Sequence, residues 1–490
     1  MNDELETFKK LRLYEEVEQL HNCKVIDSKW VFKIKCRPNG KIEWYKAWLV
    51  AKGYTQIHGV NYTDTFAPVT KFATICALLA LTAKYDMEIH QMDVKSVFLN
   101  GELDEEIYLK PPPSFRPSWS LVWCLLHVLY SLKQAHKSWY SRLHAVFKVL
   151  EFTWSKADHS VFYKTKDGVL IIVTVYVDDK MILSKDKAAI DCLKEQFACE
   201  YDMLDLGEAC WILGMELIQD HDRHTIELSQ CYYIESILKH FGMADSHPVI
   251  TPLDPNVKLT KLENTETDIK EYQSALGSLM YAMLATCPDL MFAVGTLSRH
   301  AATPGHVHVT VLKRIYHYLR KTSTASLIFH GDAWQSLLGY VDADWAANVN
   351  NHKSVTGFVF ILAGTAISWS SKKQSSVALS SMEAKYIAAA ATTKEAIWLW
   401  VLFGELDSLL SEGTKLMVNN QSAIVLAKNQ MFHEWTKHIS IRHHFIWEKL
   451  EMGEIAVEYI STMDQVADVL TKGFTQEKHV RFVESMGMVF

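Results

Sequence analysis

Two adjacent carboxylates, Asp178 and Asp179, sit where the chain passes from one strand-like run, LIIVTVYV, to another, MILS. The pattern predicts a hairpin with both aspartates at its tip. Aspartate is a common turn residue, so the pair alone says little. A third carboxylate, Asp93, ends the run MEIHQMD, where a strand would deliver it to the edge of the same sheet. Phosphoryl transfer by the two-metal route needs several carboxylates around two divalent ions about 3.5–4 Å apart. Mg²⁺ sites use one or two carboxylates plus substrate phosphates, so few residues are needed. Asp93, Asp178 and Asp179 meet that requirement.

The elements that would position them are legible from patterning. Residues 25–245 alternate strand-like runs (Trp30–Lys35, Glu88–Asp93, Val169–Val177, Met181–Ser184) with helical stretches at Lys71–Lys84 and Trp139–Leu150. A polar, Pro-containing loop, His247–Asp268, reads as a linker. Helical stretches follow at Tyr272–Ala285 and Val307–Lys321. The last part opens with strands at Leu337–Val341, Gly357–Leu362 and Ala366–Ser370, then a long helix from Ser380 or Ser381 with Glu383 in its first turn. A strand at Lys415–Asn419, a helix from Gln421 and a strand–helix pair at Ala456–Lys472 complete a mixed α/β organisation.

With 490 residues, 49% hydrophobic and 22% charged, the chain is expected to fold into about three domains. The longest apolar run, Val169–Val177, is half of what a bilayer span needs, so no membrane is expected. The acidic N-terminus MNDELETFKK lacks an apolar signal region and reads as intracellular. The nine cysteines contain no CxxC pair and read as reduced thiols. His438, His443 and His444, the densest of the 22 histidines, lack zinc-ligand spacing. The formal charge of −7 sits badly with nucleic-acid binding, which draws on Lys and Arg. Basic residues do bunch at Lys29–Lys52 and Lys313–Lys321, and a net charge can conceal such a track.

The runs SKWVFKIK, YKAWLVAKGYTQ, TFAPVTKF, HQMDVKSVFLNGELDEEIY, LYSLKQAHKSWY, YVDD, DLGEACWILGMEL and LSQCYYIESILKHFGM follow one another across residues 25–245. Together they resemble the reverse transcriptase of Ty1/copia-type retrotransposon Pol polyproteins. The resemblance continues through YQSALGSLMYAMLATCPDLMFAVGTLSRH and LKRIYHYLRKT, similar to the family's connection. GYVDADW, SKKQSSVALSSMEAKYIAA, VNNQSAIVLAKN, TKHISIRHHF and QVADVLTKGF are similar to its ribonuclease H. It implies a fingers–palm–thumb polymerase over 25–260 after an extension at 1–24, and a helical connection over 261–335. A ribonuclease H-like domain over 336–475 and a tail at 476–490 would follow. The reaction implied is RNA- and DNA-templated DNA synthesis with hydrolysis of the RNA strand of the hybrid. RNA template, DNA primer, RNA–DNA hybrid and deoxynucleoside triphosphates would be the partners, and two Mg²⁺ or Mn²⁺ ions per site the cofactors. The family context implies the cytoplasm, within virus-like particles, with the nucleus as the other compartment.

By position, the resemblance makes Asp93, Asp178 and Asp179 the polymerase metal triad and Phe98 the steric gate against a ribose 2′-hydroxyl. Leu213-Gly214 falls where the primer end is held, and Lys46 and Lys52 in the triphosphate-contacting segment. Asp342, Glu383 and Asp468 match three of four ribonuclease H acidic positions, with Asn419 at the fourth. Asp344 is read as a solvated neighbour. An amide is a poor ligand for a hard cation, so impaired hybrid cleavage is expected. Other departures are Trp48 for Arg, Val97 for Ala, Ser131 for Gly and Lys180 for an apolar residue. Cys287 stands for Arg, Met382 and Lys385 for the Thr and Glu of STEAEY, Trp447 for Arg and His136 for Pro. Most of these, Asn419 included, can arise by C-to-T change on one strand or the other, as deamination of a silenced element would leave. A catalytically impaired relic is therefore the alternative reading. A group II intron-type polymerase is a second, which the ribonuclease H-like segment opposes.

Overall fold

The computed structural model describes the chain except for residues 20–22, 37–41, 113–114, 116–120, 258, 261–266, 349, 407–412 and 429–439. His438 and part of the TKHISIRHHF run fall outside the described residues. The chain packs as two units, Met1–Thr70 with His90–Gly207, and Lys71–Ile89 with Glu208–Phe490.

In the first unit a six-stranded sheet has the order Met203–Glu208, Glu88–Val94, Asp179–Ser184, Val169–Tyr176, Val161–Lys166, Thr153–Trp154. The helices Ala135–Val149 and Lys187–Glu200 supply Leu143, Phe147, Leu193 and Phe197 to a core shared with Met92, Phe162, Val173 and Ile182. Phe147 stacks on Phe162 with ring centroids 3.9 Å apart. Asp186 caps the second helix, its carboxylate accepting from Ala188 N at 2.9 Å. The segment expected as an N-terminal extension contributes a helix, Asn2–Lys10, and a strand, Tyr14–Glu18. That strand pairs antiparallel with Leu121–His127, and Phe8 is fully buried in a core with Trp123 and Leu129.

A separate two-stranded ribbon joins Ser28–Cys36 to Ile42–Ala51. Period-two alternation sorts its side chains. One face carries Trp30, Phe32, Ile34 and Tyr45; the other carries Lys29, Val31, Lys33, Lys46 and Trp48. Lys29, Lys33 and Lys46 of the basic bunch noticed in the sequence thus share one face of a ribbon.

Ser131, where the family has glycine, has φ +69°, a conformation costly for a residue with a Cβ. The backbone there cannot relax freely, because the Ser131 carbonyl lies against Gly53, where an added Cβ would sit 1.9 Å from the Ser131 oxygen. Ser131→Gly is expected to stabilise the chain by about 1 kcal/mol. Urea unfolding should show a higher midpoint at unchanged slope, and an unmoved midpoint would show that the turn bears no strain.

In the second unit one sheet has the order Trp211–Ile212, Met215–Asp220, Thr225–Ser229, Ser326–His330, Met488–Val489. The expected C-terminal tail therefore contributes a strand, together with the helix Gln476–Ser485. A second sheet has the order Thr365–Lys373, Val355–Leu362, Leu338–Asp344, Thr414–Val418, Ile455–Tyr459, antiparallel among the first three and parallel beyond. The expected strand–helix pair at 456–472 is instead the strand Ile455–Tyr459 and a short 3₁₀ turn, Val466–Leu470. Gln465 starts that turn by accepting from Ala467 N while donating to Val341 O and Met417 O, which ties the turn to two sheet strands. The helix Ser381–Leu406 is long and apolar enough to cross a membrane by length and composition alone. Its Tyr386, Ala388, Thr392, Leu399 and Leu402 are buried, and it packs along Leu338–Asp344 as a core helix.

Candidate active sites

In the first unit, Tyr176 pairs with Asp179, so Val177 and Asp178 form a two-residue hairpin loop. Val177 has φ +59°, which such loops require and a β-branched side chain resists. The Trp139 indole donates to Val177 O at 2.9 Å, and Val94 N donates to Asp178 O at 3.3 Å, holding the strained tip against the strand that carries Asp93. All three predicted aspartates therefore lie at one end of one sheet, near enough to act on one another by charge. Burial, then Asp178 and Asp179, push Asp93 above the ordinary carboxylate range. Burial and Asp178 push Asp179 up as well, although Gln91 donates to its Oδ1 at 3.1 Å. Oxygen-only groups that raise one another in this way suit a hard divalent cation.

Lys180 interrupts that arrangement. It is fully buried, donates to Asp178 O at 3.2 Å and lies 5.1 Å from the Trp139 ring centroid. Burial pulls its ammonium down to about 7, against the attraction of Asp178, Asp93 and Asp179.

Phe98 stands in the 3₁₀ turn Val97–Asn100 and meets Tyr130 and His136 edge-on at 6.0 and 4.8 Å. His136, in place of the family's Pro, thus braces the Phe98 ring. Lys46 lies 4.8 Å over the Trp48 ring, and its charge weakly opposes the rise of Asp93. Trp48 removes the charge expected there yet seats its neighbour's. Lys52 pairs with Asp27 at 3.2 Å. Leu213 and Gly214 belong to the second unit, where both have positive φ in a tight turn whose Leu213 carbonyl accepts from the Tyr281 hydroxyl.

The second cluster lies in the second unit. Asp342, in the strand Leu338–Asp344, is 1% exposed. Its Oδ1 receives Lys385 at 2.6 Å and its Oδ2 receives the Thr471 hydroxyl at 2.6 Å. Burial would raise Asp342, but Lys385 and Lys472 outweigh it and hold the carboxyl below its usual range. Lys472 also pairs with Asp468 at 2.8 Å. Burial and then Asp342 push Asp468 up to about 7. Glu383 Oε2 accepts from Leu379 N at 2.7 Å, and Ser380 Oγ accepts from Glu383 N at 3.1 Å, a cap on the long helix. Asn419 Oδ1 accepts from Lys385. Asp344 is half-buried and raised by that burial, not the solvated neighbour expected. Sequence reasoning marked Lys385 as a departure but missed that it reaches Asp342. It missed Lys472 entirely, although the spacing of four from Asp468 was a signal.

A reverse transcriptase (RNA-dependent DNA polymerase) family model matches residues 11–255. The chain is 41% identical to the Retrovirus-related Pol polyprotein from transposon TNT 1-94 of Nicotiana tabacum, over 100% of this chain and 37% of that protein. It is 35% identical to the corresponding polyprotein from transposon RE1 of Arabidopsis thaliana, over 95% of this chain and 32% of that one. The Transposon Ty1-NL2 Gag-Pol polyprotein of Saccharomyces cerevisiae is 24% identical over 94% of this chain and 27% of its own length. A solved ribonuclease H1 isolated from compost overlaps 28% of this chain and 92% of its own at 16% identity and TM-score 0.21, too loosely to identify a fold. The chain spans about a third of the length of the copia-type transposon Pol polyproteins it matches, and it belongs to the reverse transcriptase (RNA-dependent DNA polymerase) family.

Proposed function

We propose that this chain is an RNA-directed DNA polymerase in which Asp93, Asp178 and Asp179 are the catalytic carboxylates. The observation that carries the reading is the placement of three aspartates, from two neighbouring strands and the loop before one of them, at one sheet end, two of them raised by burial and then by their neighbours' charge. Two Mg²⁺ or Mn²⁺ ions held by these carboxylates would activate the primer hydroxyl and neutralise the triphosphate. The rest is positioning by the chain's own residues. The Trp139 indole and Val94 amide hold the hairpin tip. The Lys29–Lys33–Lys46 face of the ribbon offers point charges to phosphate, which a net charge of −7 conceals. Residues 25–260 would form fingers, palm and thumb, 261–335 a connection, and 336–475 a ribonuclease H-like domain acting on the RNA–DNA hybrid. Cytoplasmic particles are the proposed setting.

The test is extension of a DNA primer on an RNA template by the purified full chain. Product should appear with deoxynucleotides and Mg²⁺ or Mn²⁺ and vanish with chelator. A folded chain that binds the primer–template but never extends it would favour the impaired relic, a reading to which buried Lys180 beside the triad lends weight.

Phe98 would exclude ribonucleotides by clash, its ring braced by Tyr130 and His136. In Phe98→Ala, ribonucleotide incorporation relative to deoxynucleotide is expected to rise about tenfold. Steady-state incorporation with both sugars on one template measures this, and equal exclusion by parent and variant would remove Phe98 from the role.

A further inference from the structure

We infer that the Lys385 ammonium holds the place of a divalent cation in the second unit. The group of Asp342, Asn419 and Asp468, to which the family resemblance adds Glu383, thereby has its cation position filled from within and binds neither Mg²⁺ nor Mn²⁺. The inference rests on the ribonuclease H-like reading of this segment for which positions should be ligands, but not for the contacts themselves.

A hard divalent ion needs several oxygen lone pairs converging on one point. Here they converge on nitrogen. Lys385 Nζ takes Asp342 Oδ1 at 2.6 Å and Asn419 Oδ1 as well, joining the first and fourth expected ligands through one cation of the chain's own. The other oxygen of Asp342 holds the Thr471 hydroxyl at 2.6 Å and faces Lys472 at 3.8 Å. Asp468 Oδ2 holds Lys472 at 2.8 Å, and Glu383 Oε2 holds the Leu379 amide at 2.7 Å. Asp468 Oδ1 alone is buried without a partner, and one oxygen is not a site.

Charge points the same way. Asp342 and Asp468 face Lys385 and Lys472 with half-buried Asp344 beside them, so most of the local negative charge is already balanced by the chain's own cations. Asp342 is 1% exposed and Lys385 16%, so the pair is barely screened by solvent. A metal would have to displace a buried, hydrogen-bonded ion pair whose breaking leaves a naked buried carboxylate.

Lys385 and Asn419 therefore act as a pair. Restoring only the carboxylate, Asn419→Asp, gives the same ammonium a second anion to bridge and tightens the internal cation. Removing the ammonium and restoring the carboxylate together, Lys385→Glu with Asn419→Asp, clears the position and supplies ligands.

The experiment replaces Mg²⁺ by Fe²⁺ in the full chain and adds ascorbate and peroxide, so that hydroxyl radicals cut the backbone beside any bound ion. The parent and Asn419→Asp are expected to show no cuts near Asp342, Glu383 or Asp468, whereas the double variant gains them. Its Mn²⁺ affinity at this cluster should exceed the parent's at least about tenfold. Cuts at the cluster in the parent, equal cuts in Asn419→Asp, or none in a folded double variant would each overturn the inference. Should the double variant not fold, Lys385→Met decides. It should unfold at a lower temperature than the parent in chelator and be restabilised by Mn²⁺ more than the parent is, as an added site on the folded state requires. A Lys385→Met midpoint that Mn²⁺ moves no further than the parent's would overturn the inference too. Hybrid cleavage is scored separately. A double variant that gains the ion yet leaves RNA–DNA hybrid intact would remove the ribonuclease H-like reading and leave the internal cation standing.

Discussion

Asp178→Asn is expected to abolish primer extension while leaving the chain folded. Asp178 is exposed at the hairpin tip, and its backbone carbonyl, not its carboxylate, accepts from Val94 N and Lys180 Nζ. Asparagine keeps the shape, tolerates tight turns and preserves both bonds. Stability should therefore move by no more than about 0.5 kcal/mol. After burial, the lost charge is one of the two that raise Asp93 and the one that raises Asp179, so it is central to the electrostatics of the triad. Changes even to outer partners of a metal site cost about 10–100-fold, so loss of an inner carboxylate should cost at least 100-fold in extension rate. The measurement is single-turnover extension by parent and variant at matched primer–template occupancy, with unfolding curves alongside. Undiminished extension by the folded variant would sink the assignment of Asp178 to the reaction.

The grouping of the three aspartates was readable because each of its parts is local. Strand periodicity predicts the runs on either side of Asp178, and the register that pairs Tyr176 with Asp179 follows from the two-residue loop. What patterning did not contain is the tertiary brace on that loop, the Trp139 indole, which comes from a helix whose apolar face reads as ordinary core. The pairing of the chain's ends was not legible for a similar reason. Residues 2–18 and 476–489 look peripheral in a linear reading, yet edge pairing with Leu121–His127 and Ser326–His330 builds them into sheets. In the second unit the acidic positions were legible one by one. Their neutralisation was not, because Lys385 reaches Asp342 across 43 positions and Asn419 across 34. A residue type that departs from a family shows that a site has changed, and only the contact shows into what.

Lys180→Met should stabilise the chain and lower the metal concentration needed for extension. The lysine follows the aspartate pair on the strand Asp179–Ser184 and its side chain is fully buried, whereas the family places an apolar residue there. Its nitrogen has one hydrogen bond among the described residues, to Asp178 O at 3.2 Å, and the Trp139 ring at 5.1 Å. Neither replaces the hydration of an ammonium. The three aspartates attract it, but burial prevails and draws it from 10.5 to about 7. A folded-state value below the unfolded one makes the sign definite. As pH falls from about 10.5 to 7 the unfolded chain takes up the proton first, and the parent loses stability throughout that window. Below 7 both states are protonated and the penalty is constant. Methionine, similar in length and without charge, removes it, and replacing a buried ion by an apolar group of like volume is worth about 1–4 kcal/mol. The gap between variant and parent should therefore be largest at or below pH 7 and close toward pH 10, as urea unfolding across that range would show. With the ammonium gone, Asp93, Asp178 and Asp179 lose a competing cation, so half-maximal extension should need less Mg²⁺. A variant less stable than the parent at pH 7 would mean that the bond to Asp178 O outweighs burial, and that Lys180 supports the hairpin tip.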